Sequence, residues 1–269
     1  MTPHIQRWIT GAIAVPVVFA IIYFGSDTLF AVLMITAILI AGTEYNHMVF
    51  QEGFSWEKRE VLFSAAFLPS AAYLGGESLL LASFAAAVMI IFLLFLGNIK
   101  NNPMITIIPI SKVFFALAYL PLMLSYFIFI RQWENGILWI FFILILTVSG
   151  DIAAFYFGRT LGKHKLYPLV SPGKTVEGAI GSFTGSILAC IIYSMFVLPA
   201  LPLIHVLILA IVGSCFGQLG DLCESAIKRS AGIKDSGNIL PGHGGILDRL
   251  DSLIFLAPFV YYYRMYLIS

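Results

Sequence analysis

Long apolar runs separated by short polar interruptions fill most of this chain. A membrane-crossing helix needs roughly 20 apolar residues, about 17–25 in the usual range. Nine runs meet that length: 5–24, 28–45, 60–76, 78–97, 107–130, 136–157, 177–198, 203–222 and 248–267. The pattern predicts an all-α, polytopic integral membrane protein of about nine transmembrane helices. Gly75-Gly76 predicts a tight turn between the third and fourth spans, and Pro69 falls inside the third. The fifth run contains Pro109, Lys112 and Pro121, which predicts a late start or a kink. Arg7 ahead of the apolar run to Phe24 has the look of a signal peptide. That run flows into the second without a small-residue cleavage site, so it is expected to be retained as the first helix.

An odd number of spans puts the two termini on opposite sides. The basic residues agree with that count. Arg7, Lys58, Arg59, Lys100, Arg159, Lys163, Lys165, Lys174, Lys228, Arg229, Lys234 and Arg249 fall on the N-terminal side. Arg131 and Arg264 fall on the other, and Lys112 lies within a span. Such an excess predicts a cytoplasmic N-terminus, in the inner membrane if the source is bacterial.

Composition sharpens the class. The chain is 60% hydrophobic and 11% charged, with a mean hydropathy of +0.96, whereas a soluble domain averages about 25% charged residues. A net charge of +1 gives no bulk attraction for a polyanion, and no nucleic-acid partner is expected. Cys190, Cys215 and Cys223 have neither metal-ligand nor disulfide-framework spacing.

Polar chemistry concentrates at 149–178 and 217–252, which together hold more than half of the charged residues. Residues 1–135 (spans one to five) are comparatively bland. Residues 136–269 (spans six to nine with two cytoplasmic polar loops) carry the chemistry and are expected to form the catalytic region. Counted along their helices, Asp151 and Asp221 lie roughly 22–27 Å from the outer ends of their spans, near the cytoplasmic edge of a ~30 Å core. Asp248 and Asp251 open the last span at that edge. Asp221, Glu224, Ser225 and Lys228 share one helix face, as do Asp248 and Asp251. Acids at that depth are costly unless paired, solvated or metal-bound. Either they pair with Lys228, Arg229 and Arg249, or they converge on a hard cation such as Mg²⁺, which takes one or two carboxylates and leaves positions for phosphate.

Ser171-Pro172-Gly173-Lys174-Thr175 precedes a predicted helix but lacks phosphate-loop spacing and a preceding strand. It reads as a Thr-capped helix start, or as a place where Lys174, Thr175 and backbone N–H groups attract phosphate. The basic run Arg159, Lys163, His164, Lys165 reads as a loop against anionic headgroups. His243, between glycines in Pro-Gly-His-Gly-Gly, is a candidate for touching phosphate.

The stretch from Ser225 to Asp251 resembles the signature of the phosphatidate cytidylyltransferases, the CDP-diacylglycerol synthases. Ser225, Lys228-Arg229, Lys234-Asp235, Gly237, Leu240, Pro241, His243-Gly244-Gly245, Asp248-Arg249 and Asp251 fill that family's pattern. Asp151-to-Arg159, Ser171-to-Gly178 and Gly220-to-Ser225 are similar as well. The resemblance covers about 149–252 strongly. It implies transfer of CMP from CTP to phosphatidate, giving CDP-diacylglycerol and pyrophosphate, with Mg²⁺ held by Asp221 and Asp248. A second cation and a homodimer are further implications. On this reading Asp221, Asp248, Lys228 and Asp251 are catalytic. Lys174, Ser171, Thr175, Arg229, Lys234, Asp235, His243, Arg249 and Asp151 bind substrate. A transporter or Mg²⁺ channel is the rival class, disfavoured because the charges sit at one face and no repeated halves are visible. A different lipid phosphate acceptor is a third reading.

Overall fold

The apolar runs are helical. The computed structural model describes residues 3–50, 55–99, 106–239, 242 and 244–268. In chain order it contains α1 (Pro3–Phe24), α2 (Asp27–Val49), α3 (Ser55–Ile99), α4 (Ile108–Leu117), a π-helical turn (Ala118–Leu122) and α5 (Tyr126–Arg131). Then follow α6 (Gly136–Thr160), strands β1 (Lys165–Tyr167) and β2 (Ser171–Thr175), α7 (Val176–Val197), α8 (Leu203–Ser230) and α9 (Leu247–Leu267).

Among the described residues, six stretches are long and apolar enough to cross a membrane: Asp27–Val49, Trp56–Asn98, Ile108–Arg131, Gly136–Thr160, Val176–Val197 and Leu203–Ser230. The chain is therefore an all-α polytopic membrane protein, while the expected count of about nine crossings is not established. Three places make the difference. The first run contributes a shorter apolar helix, Thr10–Phe24. The last helix opens on Asp248, Arg249 and Asp251. The third and fourth runs form one helical stretch, α3, broken at Gly76 (φ 68°, ψ −159°). Only glycine takes that left-handed conformation without strain, so the expected Gly-Gly turn becomes a break at a single residue.

Pro121, lacking an N–H, sits inside the π-helical turn. Its carbonyl instead accepts from the Ser125 N–H (3.1 Å) and hydroxyl (2.5 Å). The fifth run thus begins within a residue of its expected start, at Ile108, with Pro109 in its first turn, and is interrupted at the π-helical turn. One element was not expected. Residues 165–175 form an antiparallel hairpin, pairing Lys165 with Thr175 and Tyr167 with Ser171. The Ser-Pro-Gly-Lys-Thr stretch is therefore a strand whose last residue caps α7, with the Thr175 hydroxyl accepting from Gly178 N–H at 3.0 Å.

The chain divides into two packing units. One comprises Met1–Gln132 with Asp235–Asp248; the other comprises Trp133–Lys234 with Arg249–Ser269. In the first unit, α2 packs against α3 and α4 around Phe30, Ile38, Tyr45, Leu68 and Val113, all buried. Lys112, the base inside a span, extends its ammonium to the Val49 carbonyl (2.9 Å). Arg131 pairs with Asp27 (3.3 Å).

In the second unit, α6 and α7 approach through small residues. A Cβ at Gly181 would lie 2.6 Å from Phe157 Cβ, and one at Gly150 would lie 2.7 Å from Ser186 Oγ. Ser186 donates to the Leu146 carbonyl at 2.8 Å. Close backbone approach through glycine and serine is how apolar helices associate without a hydrophobic drive between them. It puts Asp151 of α6 beside the strand that leads into α7.

Candidate active site

Asp151, Asp221 and Lys174 meet at a cavity of about 330 Å³ in the second unit, lined also by Thr175, Gln218 and Ser252. Each arrives for a local reason. Lys174 is carried by β2. Asp221 follows Gly220, where a Cβ would collide with the Asp251 carbonyl. The missing side chain lets α8 lie against the backbone of α9, so Asp221 and Asp251 become neighbours. Asp151, Asp221 and Asp251 are close enough for their charges to repel, with Lys174 and Arg249 attracting Asp151, and Lys228 attracting Asp251. The Lys174 ammonium lies 2.6 Å from Asp221 Oδ2, and Ser225 donates to Asp221 Oδ1 at 3.3 Å. Asp251 accepts from the N–H (2.6 Å) and hydroxyl (3.2 Å) of Ser252. Deeper along α8, Ser182, Ser214 and Gln218 form a polar ladder, both steps 3.3 Å.

Carboxylate and hydroxyl oxygen donors suit a hard divalent cation in kind. Among the described residues, no three His, Cys, Asp or Glu side chains are grouped so as to hold a metal. The start of α7 is less open to phosphate than its sequence suggests. Val176 N–H is taken by the His164 carbonyl (2.9 Å) and Gly178 N–H by Thr175, which shifts the attraction for an anion onto Lys174.

The remaining bases of the signature are differently placed. Lys228 forms an ion pair with Glu224 one turn earlier, and Glu224 is fully buried. Arg229 donates to the carbonyls of Val170 (3.1 Å) and Ile233 (3.2 Å), fastening the hairpin turn to the end of α8. Ser171 opens β2. Lys234 and Asp235 are exposed, and His243, with Leu240 and Pro241, lies outside the described residues. Lys228→Ala is expected to destabilise the protein by about 3 kcal/mol, because it strips a buried carboxylate of its cation. Lys228→Met combined with Glu224→Gln should recover most of that loss. Thermal unfolding in detergent measures both, and a Lys228→Ala protein as stable as wild type would contradict the pair's structural weight.

In the first unit, Asp248 accepts from Gly245 N–H (2.8 Å) and Ser236 N–H (3.1 Å) through Oδ2, while Oδ1 receives a longer bond from Ser236 N–H (3.3 Å). Gly242 (φ 78°) and Gly244 (φ 79°) are left-handed, as the close turn before Asp248 requires. The residue that sequence reading missed here is Glu44, on α2 and 3% exposed. Its carboxylate accepts from the Ser236 hydroxyl (3.1 Å), Ile246 N–H (2.9 Å) and Leu247 N–H (2.8 Å). A signal was available: Glu44 is the one acid in the run 28–45, and an ionisable group inside an apolar span marks a functional position by default.

The sequence profile of the Cytidylyltransferase family matches residues 5–267. The chain is 38% identical over 183 residues to a phosphatidate cytidylyltransferase of Bacillus subtilis (strain 168), covering 68% of this chain and 66% of that protein. It is 47% identical over 143 residues to one from Staphylococcus epidermidis (strain RP62A), covering 53% of this chain and 54% of that protein. To one from Staphylococcus aureus (strain COL) it is 42% identical over 135 residues, 50% of this chain and 52% of that protein. The chain thus matches between about half and two thirds of the length of these relatives.

Proposed function

This chain belongs to the Cytidylyltransferase family, and on that premise we propose that it transfers CMP from CTP to phosphatidate, forming CDP-diacylglycerol and pyrophosphate. The observation that carries the reading is the cavity where Lys174 and Asp221 pair beside Asp151. Two polyanions must meet in this reaction, so the protein's work is mostly positioning and charge neutralisation. A phosphate oxygen of phosphatidate, ionised near neutral pH, attacks the α-phosphorus of CTP. The bond from that phosphorus to the bridging oxygen breaks, and pyrophosphate leaves with the electron pair. No side chain need remove a proton. Lys174 offsets the charge of the triphosphate and the departing pyrophosphate. Asp221, together with Asp151 or Asp251, would hold Mg²⁺, and the resemblance gives Asp248 the same role. When bound, the metal would neutralise phosphate charge and polarise the reacting phosphoryl group. The acyl chains stay in the bilayer.

The test is incubation of purified protein with Mg²⁺, a panel of lipid phosphates and CTP labelled at either the α or the γ phosphorus. The α label should pass to the lipid only when phosphatidate is present, and the γ label to pyrophosphate. No labelled lipid with any acceptor would defeat the proposal, and preference for another lipid phosphate would change the substrate.

The active site is proposed to face the cytoplasm, on the strength of the basic-residue asymmetry. Cysteines at positions 163 and 269 are expected to label from opposite sides of sealed vesicles. Labelling from the same side would overturn that orientation. The homodimer implied by the resemblance belongs to the same proposal, and the mass of the purified particle reads it.

A further inference from the structure

Glu44 is the one acid in the apolar run 28–45 of α2, and its carboxylate reaches groups 192, 202 and 203 positions away along the chain. All three donors belong to one stretch, Ser236 to Leu247, which leads directly into Asp248. Two glycines of that stretch make room for the carboxylate. A Cβ at Gly237 would lie 2.6 Å from Glu44 Oε1, and one at Gly245 would lie 2.5 Å from Oε2. Asp248 holds the same stretch from its other end, through Ser236 N–H and Gly245 N–H. The amides of 236, 245, 246 and 247 are thereby divided between two carboxylates, one of which is proposed to work on phosphate or metal.

An acid is an expensive way merely to fill the core of a membrane helix, where an apolar side chain of similar volume often serves stability as well or better. What a carboxylate adds is direction. Two backbone N–H groups in succession are satisfied only by an acceptor in one place, so the backbone that delivers Asp248 is fixed before any substrate arrives.

We infer that Glu44 is a positioning residue: through the amides of Ile246 and Leu247 it fixes the backbone that carries Asp248, and so sets the turnover of the proposed transfer. The inference rests on the cytidylyl-transfer reading for its kinetic part only.

The test uses the full-length protein in detergent and two variants that disturb the clamp from opposite sides. Glu44→Gln keeps the shape but turns one acceptor into a donor facing N–H groups. Gly237→Ala presses a methyl group against Oε1. In both, the amides of Ile246 and Leu247 should exchange hydrogen at least about tenfold faster. Turnover should fall about tenfold, the size of effect seen when groups supporting a ligand are lost, while the Michaelis constant for CTP stays within about twofold. Unchanged exchange in both variants would overturn the clamp. Faster exchange with wild-type turnover would overturn the positioning role. Loss of activity only in proportion to loss of folded protein would also overturn it. Should Glu44→Gln not fold, Gly237→Ala carries the same decision. A wild-type protein inactive on every lipid phosphate would sink the proposed function, while the exchange result would still decide the clamp.

Discussion

Purified Asp221→Asn protein is expected to lose cytidylyl transfer by about 10³-fold while remaining folded and stable in detergent. The size follows from the role. Groups that stabilise charge developing on a reacting phosphoryl group are worth on the order of 10³-fold or more, which is about 4 kcal/mol of barrier. The stability side is small by comparison. Lys174 and Asp221 are 26% and 31% exposed, and a partly solvated pair of this kind contributes about 1 kcal/mol or less. The two roles therefore separate cleanly. A mere salt-bridge partner would shift the unfolding temperature by a few degrees and leave the surviving fraction active. A residue that carries metal or orients phosphate would leave the protein folded and idle. Wild-type turnover and Mg²⁺ dependence in Asp221→Asn would remove it from the site. Asp248→Asn tests the other expected ligand, and its interpretation needs the exchange measurement as well, because that carboxylate also holds Ser236 and Gly245.

Lys174→Ala should raise the Michaelis constant for CTP, lower turnover, or both, for a combined loss of about 10²-fold in kcat/KM. Arginine at 174 should restore part of it, since it keeps the charge but not the compact ammonium. Lys174 is the cation that the structure puts at 2.6 Å from Asp221 inside the cavity. With two α7 amides already engaged, it is the natural group to meet an incoming triphosphate. Because the two side chains touch, the double variant Asp221→Asn/Lys174→Ala should lose much less than the product of the single losses. Lys163→Ala, at an exposed position of the loop before β1, is the control. Arg131 and Arg264, the two bases assigned to the opposite face, are poor controls. Arg131 is buried against Asp27, and Arg264 lies over the Trp133 ring at 4.1 Å. CTP kinetics in Lys174→Ala equal to wild type would show that phosphate is neutralised elsewhere.

Helices, their approximate bounds and the interruption at Pro121 could be read from the chain because each depends on local physics. A run of apolar residues must satisfy its own backbone in a membrane, a missing N–H removes a bond from the ladder wherever it falls, and Thr175 caps the residue three places on. The polar stretches around Asp151 and between Asp221 and Asp251 stood out for the same reason, since charge is scarce in a chain of this composition. The hairpin at 165–175 was not readable: its strands are short and carry no alternating pattern, and the turn is tied down by Arg229 from a distant helix. Which acids meet was also beyond the sequence. Residue counting put Asp151, Asp221, Asp248 and Asp251 at one depth, yet depth fixes only one coordinate. Lateral position is set where Gly220 lets two backbones touch and where Gly150 and Gly181 let α6 and α7 close. That Lys228, a phosphate candidate in the sequence, pairs with a fully buried Glu224 is likewise a matter of packing. Glu44 was passed over in the sequence as one acid in a greasy run. Its partners are some two hundred residues away, and a hydrogen bond between such distant groups exists only once the chain between them has folded.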